Sequence, residues 1–121
     1  MIRVFVYGTL KKGGSNHGLL SNGKFIGKAT TLESFILIDH GPYPTLTEAR
    51  QNIGYQIHGE VYEVENLNRL DRLEGYYGPD SNNHYDRNLH QVECNGEQTD
   101  VWIYMNKEKF KGNHKHIPSG D

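Results

Sequence analysis

Ile2-Arg3-Val4-Phe5-Val6-Tyr7-Gly8-Thr9-Leu10 is a block of β-formers that stops abruptly at a glycine. The nearly continuous apolar run predicts a buried strand over Ile2 to Tyr7, central in a sheet rather than at its edge. Lys11-Lys12-Gly13-Gly14 follows, so the strand feeds a tight, glycine-bearing loop. Such a loop can aim several backbone N–H groups at one point, which suits a small anionic or amide-bearing ligand.

Outward from this block, more strands follow. Phe25 to Ala29 and Thr31 to Asp39 read as strands, and Thr45 to Thr47 as a brief one. Gly54 to Val64 alternates in the strand period. Tyr85 to Glu93 and Thr99 to Tyr104 are strands joined across Asn95-Gly96, a dipeptide favoured in tight hairpins. Asn16 caps a short helix through Leu20, and Asn66 to Glu74 is the better helix. Asp39 to Pro44 is turn chemistry, Ala49 to Gly54 is polar loop, and Gly75 to His84 reads as a mobile or ligand-facing loop. From Lys107 onward the chain is polar. Many strands with two short helices predict an α+β fold built on a strongly curved or barrel-like sheet.

Composition narrows the function. At 121 residues there is room for one domain. Only 35% of residues are hydrophobic, so the core is modest and leans on 8 tyrosines and 4 phenylalanines. A net charge of −2 without a long basic block argues against nucleic-acid binding. Cys94 is the sole cysteine, which excludes an intrachain disulfide and fits a reducing cytosol. No signal-peptide pattern and no membrane-length apolar segment is present, so the expected protein is soluble, cytoplasmic and without a membrane partner.

The helix at Asn66 carries the second informative feature. Leu67, Leu70 and Leu73 read as its apolar stripe, with Asn68, Arg69, Asp71 and Arg72 opposite. At about 100° per residue, Glu74 projects within roughly 20° of Leu67. It also stands at the helix C-terminus, because Gly75 is a natural residue just beyond a helix end. Burial and the negative end of the helix dipole both disfavour the carboxylate, so its pKa should rise. A carboxylate poised near neutrality is what a general base needs. The alternative is a glutamate that frays into solvent or pairs with an arginine.

Taken together the pieces resemble the gamma-glutamylcyclotransferase-like superfamily, in its AIG2-like, gamma-glutamylamine cyclotransferase branch. The resemblance runs from Val4 to Gly13 through Asn16-His17, Tyr43-Pro44, Gly59 to Val64, Leu70 to Gly75 and Tyr85-Asp86-Arg87. It ends with Val101-Trp102-Ile103-Tyr104 and a tail at Ile117 to Asp121. It implies a small mixed β-barrel with short flanking helices. It further implies that backbone amides of Tyr7, Gly8, Thr9 and Leu10 hold a gamma-glutamyl group while Glu74 acts as base. The products would be 5-oxoproline and a free amine or amino acid, with neither metal nor organic cofactor required. Tyr104, Tyr85 and Arg87 are further substrate-binding candidates. Arg87 could bind a substrate carboxylate, anchor Glu74, or form a structural ion pair. The competing reading from a different class is a module that binds a small metabolite in the same pocket without catalysis. The oligomeric state is open.

Seven histidines raise a metal hypothesis, but no zinc-type spacing appears, and solvated side chains are expected. Cys94 lacks a nucleophile pattern around it. Lys11 and Lys12 could steer an anionic substrate, but read better as ordinary solvated charges.

Overall fold

The computed structural model describes residues 1–7, 23–38, 45–49, 53–78, 85–106, 116 and 120. Five strands, in the order β1-β5-β2-β6-β7, close into a barrel: β1 (Ile2–Val6), β2 (Lys24–Thr31), β5 (His58–Val64), β6 (Tyr85–Cys94) and β7 (Glu97–Asn106). β3 (Phe35–Ile38) and β4 (Thr45–Glu48) form a separate antiparallel pair. The only helix among the described residues is α1 (Asn68–Glu74). The expected helix from Asn16 to Leu20 lies outside them.

β1 closes the barrel. It pairs antiparallel with β5 on one side, Val4 opposite Tyr62, and meets β7 in parallel on the other, Val4 opposite Trp102. Both of its faces are covered, which explains the unbroken apolar run. Phe5 points into a cluster with Val61, Val92, Val101 and Ile103. Val4 and Val6 face the opposite way, into a second cluster with Tyr62, Leu67, Leu70 and Tyr104. α1 is therefore seated on the outer face of β1, β5 and β7. Burying Leu67 and Leu70 there contributes on the order of 2 kcal/mol each.

Gly59 permits the closure. A Cβ at this position would lie 2.3 Å from the Val6 carbonyl oxygen and 2.6 Å from Phe5 Cζ. The hairpin between β6 and β7 turns on Asn95 (φ 56°) and Gly96 (φ 80°), both left-handed as a type I′ turn demands. Asn95 Nδ2 also donates to the Ile26 carbonyl at 3.0 Å, beside the register shift in β2 between Phe25 and Gly27.

Some expectations shift. The long strand from Thr31 to Asp39 breaks into the end of β2 and the start of β3. Thr31 explains the break: its hydroxyl accepts the Ile57 N–H at 2.9 Å and donates to the Glu33 carbonyl at 2.8 Å. Regular pairing of β5 likewise begins at His58 rather than Gly54, although Tyr55 bridges Phe35. The Tyr55 hydroxyl accepts the Leu37 N–H at 3.0 Å and lies 3.0 Å from His116 Nδ1, whose ring stacks on it. His116 and His90 are thus packed side chains rather than solvated ones, His90 lying 3.0 Å from Glu33 and edge-on to Phe35. Nor is the polar C-terminal stretch a free tail throughout. His116 bridges Ile38, and Gly120, at φ 73°, accepts the His58 N–H at 2.8 Å.

Candidate active site

The end of α1 decides where Glu74 points. The Gly75 N–H donates to the Arg72 carbonyl and the Tyr76 N–H to the Asp71 carbonyl, at 3.4 and 2.9 Å. With Gly75 at φ 65° and ψ 39°, this is a Schellman closure, and glycine adopts that conformation without a Cβ penalty. Glu74 is the last helical residue.

The apolar stripe differs from expectation. Leu67 and Leu70 are buried, but Leu73 is 43% exposed. Successive three-residue steps regress by about 60°, so Leu73 has rotated about 120° away from Leu67. Glu74 falls between the directions of Leu67 and Leu70, and Asp71 only about 40° from Leu67. Asp71 is accordingly not on the far side of the helix. Its side chain is 19% exposed and makes the contacts that hold α1 to the barrel.

Burial pushes the Glu74 carboxyl up to about 7. Three tyrosines from three strands share its surroundings. The Tyr7 hydroxyl, just beyond β1, is raised well above its usual range by burial, then by the charges of Glu74 and Tyr85. Tyr85, at the start of β6, is pushed up to about 12 by burial and then by Glu74. Tyr104, in β7, is raised by burial first, then by its bond to Asp71, with Glu74 a smaller contributor. At neutral pH all three phenols stay protonated, beside a carboxyl whose ordinary range has been moved up to about 7.

Two of those phenols tie strands and helix together. Tyr7 donates to the backbone carbonyl of Tyr104 at 2.6 Å, and Tyr104 donates to Asp71 Oδ1 at 2.5 Å. Arg87 grips the same carboxylate, Nε to Oδ1 at 2.8 Å and Nη2 to Oδ2 at 3.3 Å. Its guanidinium lies 4.6 Å from the centroids of both the Tyr76 and the Trp102 rings. Of the sequence candidates, Tyr7, Tyr85 and Tyr104 come together with Glu74, while Arg87 stands beside them in an ion pair. Gly8, Thr9 and Leu10 lie outside the described residues. Sequence reasoning missed Asp71; its angular distance from Leu67 was the available signal.

Among the described residues no group of three or more His, Cys, Asp or Glu side chains could hold a metal ion. A cavity of about 760 Å³ opens between the β3–β4 pair and the β6–β7 hairpin, and none of the candidate site residues lines it.

Residues 4–121 match the gamma-glutamyl cyclotransferase, AIG2-like family. The chain belongs to that family. It is 34% identical over 108 residues to the gamma-L-glutamyl-butirosin B gamma-glutamyl cyclotransferase of Niallia circulans, an alignment spanning 87% of this chain and 67% of that one. It is 33% identical over 111 residues to gamma-glutamylaminecyclotransferase A of Danio rerio, spanning 85% and 68%. Among solved structures, the mouse AIG2-like protein superposes with a TM-score of 0.75 at 29% identity, over 98% of this chain and 86% of that one. The protein is accordingly a cyclotransferase of the gamma-glutamyl type, with the mixed five-stranded barrel of its family.

Proposed function

We propose that this cyclotransferase converts a gamma-glutamyl amine or gamma-glutamyl amino acid to 5-oxoproline and the free amine, with Glu74 as general base and then general acid. The observation that carries the reading is a carboxyl at about 7, half-buried at a helix end beside the strand that leads into Tyr7-Gly8-Thr9-Leu10.

In this scheme ionised Glu74 takes a proton from the substrate's α-ammonium. The freed amine attacks the γ-carbonyl carbon, forming the C–N bond of a five-membered ring and an oxyanion. The oxyanion collapses, the bond to the leaving nitrogen breaks as protonated Glu74 returns its proton there, and the ring nitrogen gives up its second proton to the departing amine, which leaves as an ammonium ion. A group near pH 7 can make both transfers. Because nucleophile and electrophile belong to one molecule, holding it in a closing conformation supplies much of the rate. Backbone amides of Tyr7, Gly8, Thr9 and Leu10 are assigned to the gamma-glutamyl group and the developing oxyanion.

The phenol of Tyr85 is assigned to the substrate. Tyr104 and Arg87, sequence candidates for binding it, are assigned instead to the wall behind Glu74, because both are bonded to Asp71. The named relatives support an amine as leaving group. Incubation with gamma-glutamyl-lysine and a panel of gamma-glutamyl amino acids tests the reading, with 5-oxoproline as the product to detect. Binding without turnover across the panel would mark a metabolite-binding module instead.

A further inference from the structure

Asp71 takes no part in the proton transfers assigned to Glu74, yet it stands three residues before it on α1 and holds more partners. Its Oδ1 accepts from both Arg87 Nε and the Tyr104 hydroxyl, and its backbone carbonyl accepts the Tyr76 N–H that closes the helix end. Tyr104 in turn offers its own carbonyl to Tyr7. One carboxylate thus joins α1 to β6, to β7 and, through β7, to the residue that follows β1.

The charge matters as well as the tether. Arg87 and Tyr85 are two apart on β6 and so share one face of the strand. The Tyr104 phenol feels both this guanidinium and the Glu74 carboxyl, so the two charged groups flank one side chain. A carboxylate that captured this cation would be held ionised and would be a poor proton donor. Asp71 occupies the fork instead, in the bidentate geometry that suits a guanidinium. The stacked rings of Tyr76 and Trp102 keep the guanidinium plane in place. The titratable groups that face Glu74 among the described residues are then Tyr7 from the end of β1, Tyr85 from β6 and Tyr104 from β7, all neutral, with Arg87 neutralised nearby.

We propose that Asp71 is a positioning residue for Glu74: it fixes the end of α1 against β6 and β7 and keeps Arg87 occupied, so that Glu74 stays beside Tyr7, Tyr85 and Tyr104 without drawing this guanidinium as a partner. The consequence for catalysis rests on the role proposed for Glu74; the geometry does not.

The test is a carbon-13 NMR titration of the Glu74 side-chain carboxyl, assigned by its disappearance in Glu74→Gln. Asp71→Asn keeps the side-chain shape and an acceptor for Tyr104 but releases Arg87. Its Glu74 midpoint is expected to fall by about one pH unit or more toward ordinary carboxylate values. Asp71→Asn combined with Arg87→Met removes the freed cation, and the midpoint should climb back. Arg87→Lys, which keeps the charge but loses the fork, is a second variant and should give a smaller fall. A Glu74 midpoint that stays at the native value in both Asp71→Asn and Arg87→Lys would overturn the proposal. Turnover is not read in this titration. An inactive native protein would defeat the cyclotransferase scheme and leave the Asp71 result standing.

Discussion

The Tyr7 hydroxyl donates to the backbone carbonyl of Tyr104 at 2.6 Å, tying the point where the chain leaves β1 to the far end of β7. Tyr7 is the last described residue before Gly8, so this bond fixes the end of the described N-terminal segment. Tyr7→Phe keeps the ring and removes only the donor. A buried hydrogen bond of this kind is worth about 1 kcal/mol, more if the carbonyl is left bare. Urea denaturation should show that loss. Michaelis–Menten analysis should show KM rising more than kcat falls, because the proposed scheme gives the residues after Tyr7 to substrate binding and the proton transfer to Glu74.

Gly59 supports the same wall from β5. With the Val6 carbonyl 2.3 Å and Phe5 Cζ 2.6 Å from where a Cβ would be, even alanine cannot enter without moving β1. Overpacking of this sort costs typically 1–3 kcal/mol. Gly59→Ala should lower the thermal midpoint and reduce turnover together. An unchanged midpoint would mean that β1 and β5 approach less closely than this.

Glu74 makes stability depend on pH in an unusual direction. Its carboxyl sits at about 7 when folded, against 4.5 for the free side chain. Between those values the folded chain keeps a proton that the unfolded chain has released. Unfolding free energy therefore falls as pH rises from about 4.5 to 7, and the loss is complete above that window. The full shift corresponds to roughly 3 kcal/mol, and water reaching the partly exposed carboxyl would reduce it. Glu74→Gln removes this cost. Thermal melts should find the variant more stable than the native chain at pH 8 and equal to it near pH 4.5. A variant less stable at pH 8 would show that the carboxylate has favourable partners instead.

Much of the fold was written in local signals. The apolar run through Val4-Phe5-Val6 announced a doubly covered strand, and Asn95-Gly96 announced the hairpin, because both depend on neighbours in sequence. Glu74 was legible for the same reason, since helical rotation places it between Leu67 and Leu70. The break at Thr31 was not, because it depends on Ile57 arriving from elsewhere in the chain. The close approach at Gly59 was equally hidden, since nothing in Gly59-Glu60-Val61 reveals what crosses it. Asp71 was misplaced by treating Leu73 as part of the stripe, although three-residue spacing drifts away from the buried direction. Arg87 was left open between binding a substrate carboxylate, anchoring Glu74 and forming a structural ion pair, because its neighbours Asp71, Tyr76 and Trp102 reach it from distant parts of the chain.

The central claim is that Glu74 moves the proton in cyclisation. The most direct measurement is 5-oxoproline formation from gamma-glutamyl-lysine, or from the best substrate of the panel, by the native protein and by Glu74→Gln, with kcat/KM followed from pH 5 to 9. The native rate should fall on the acid side through a midpoint near 7, where Glu74 becomes protonated. Glu74→Gln should lose at least about 10²-fold, the usual worth of a positioned acid–base group, and retain its fold. A folded Glu74→Gln variant that forms 5-oxoproline at the native rate would contradict the account.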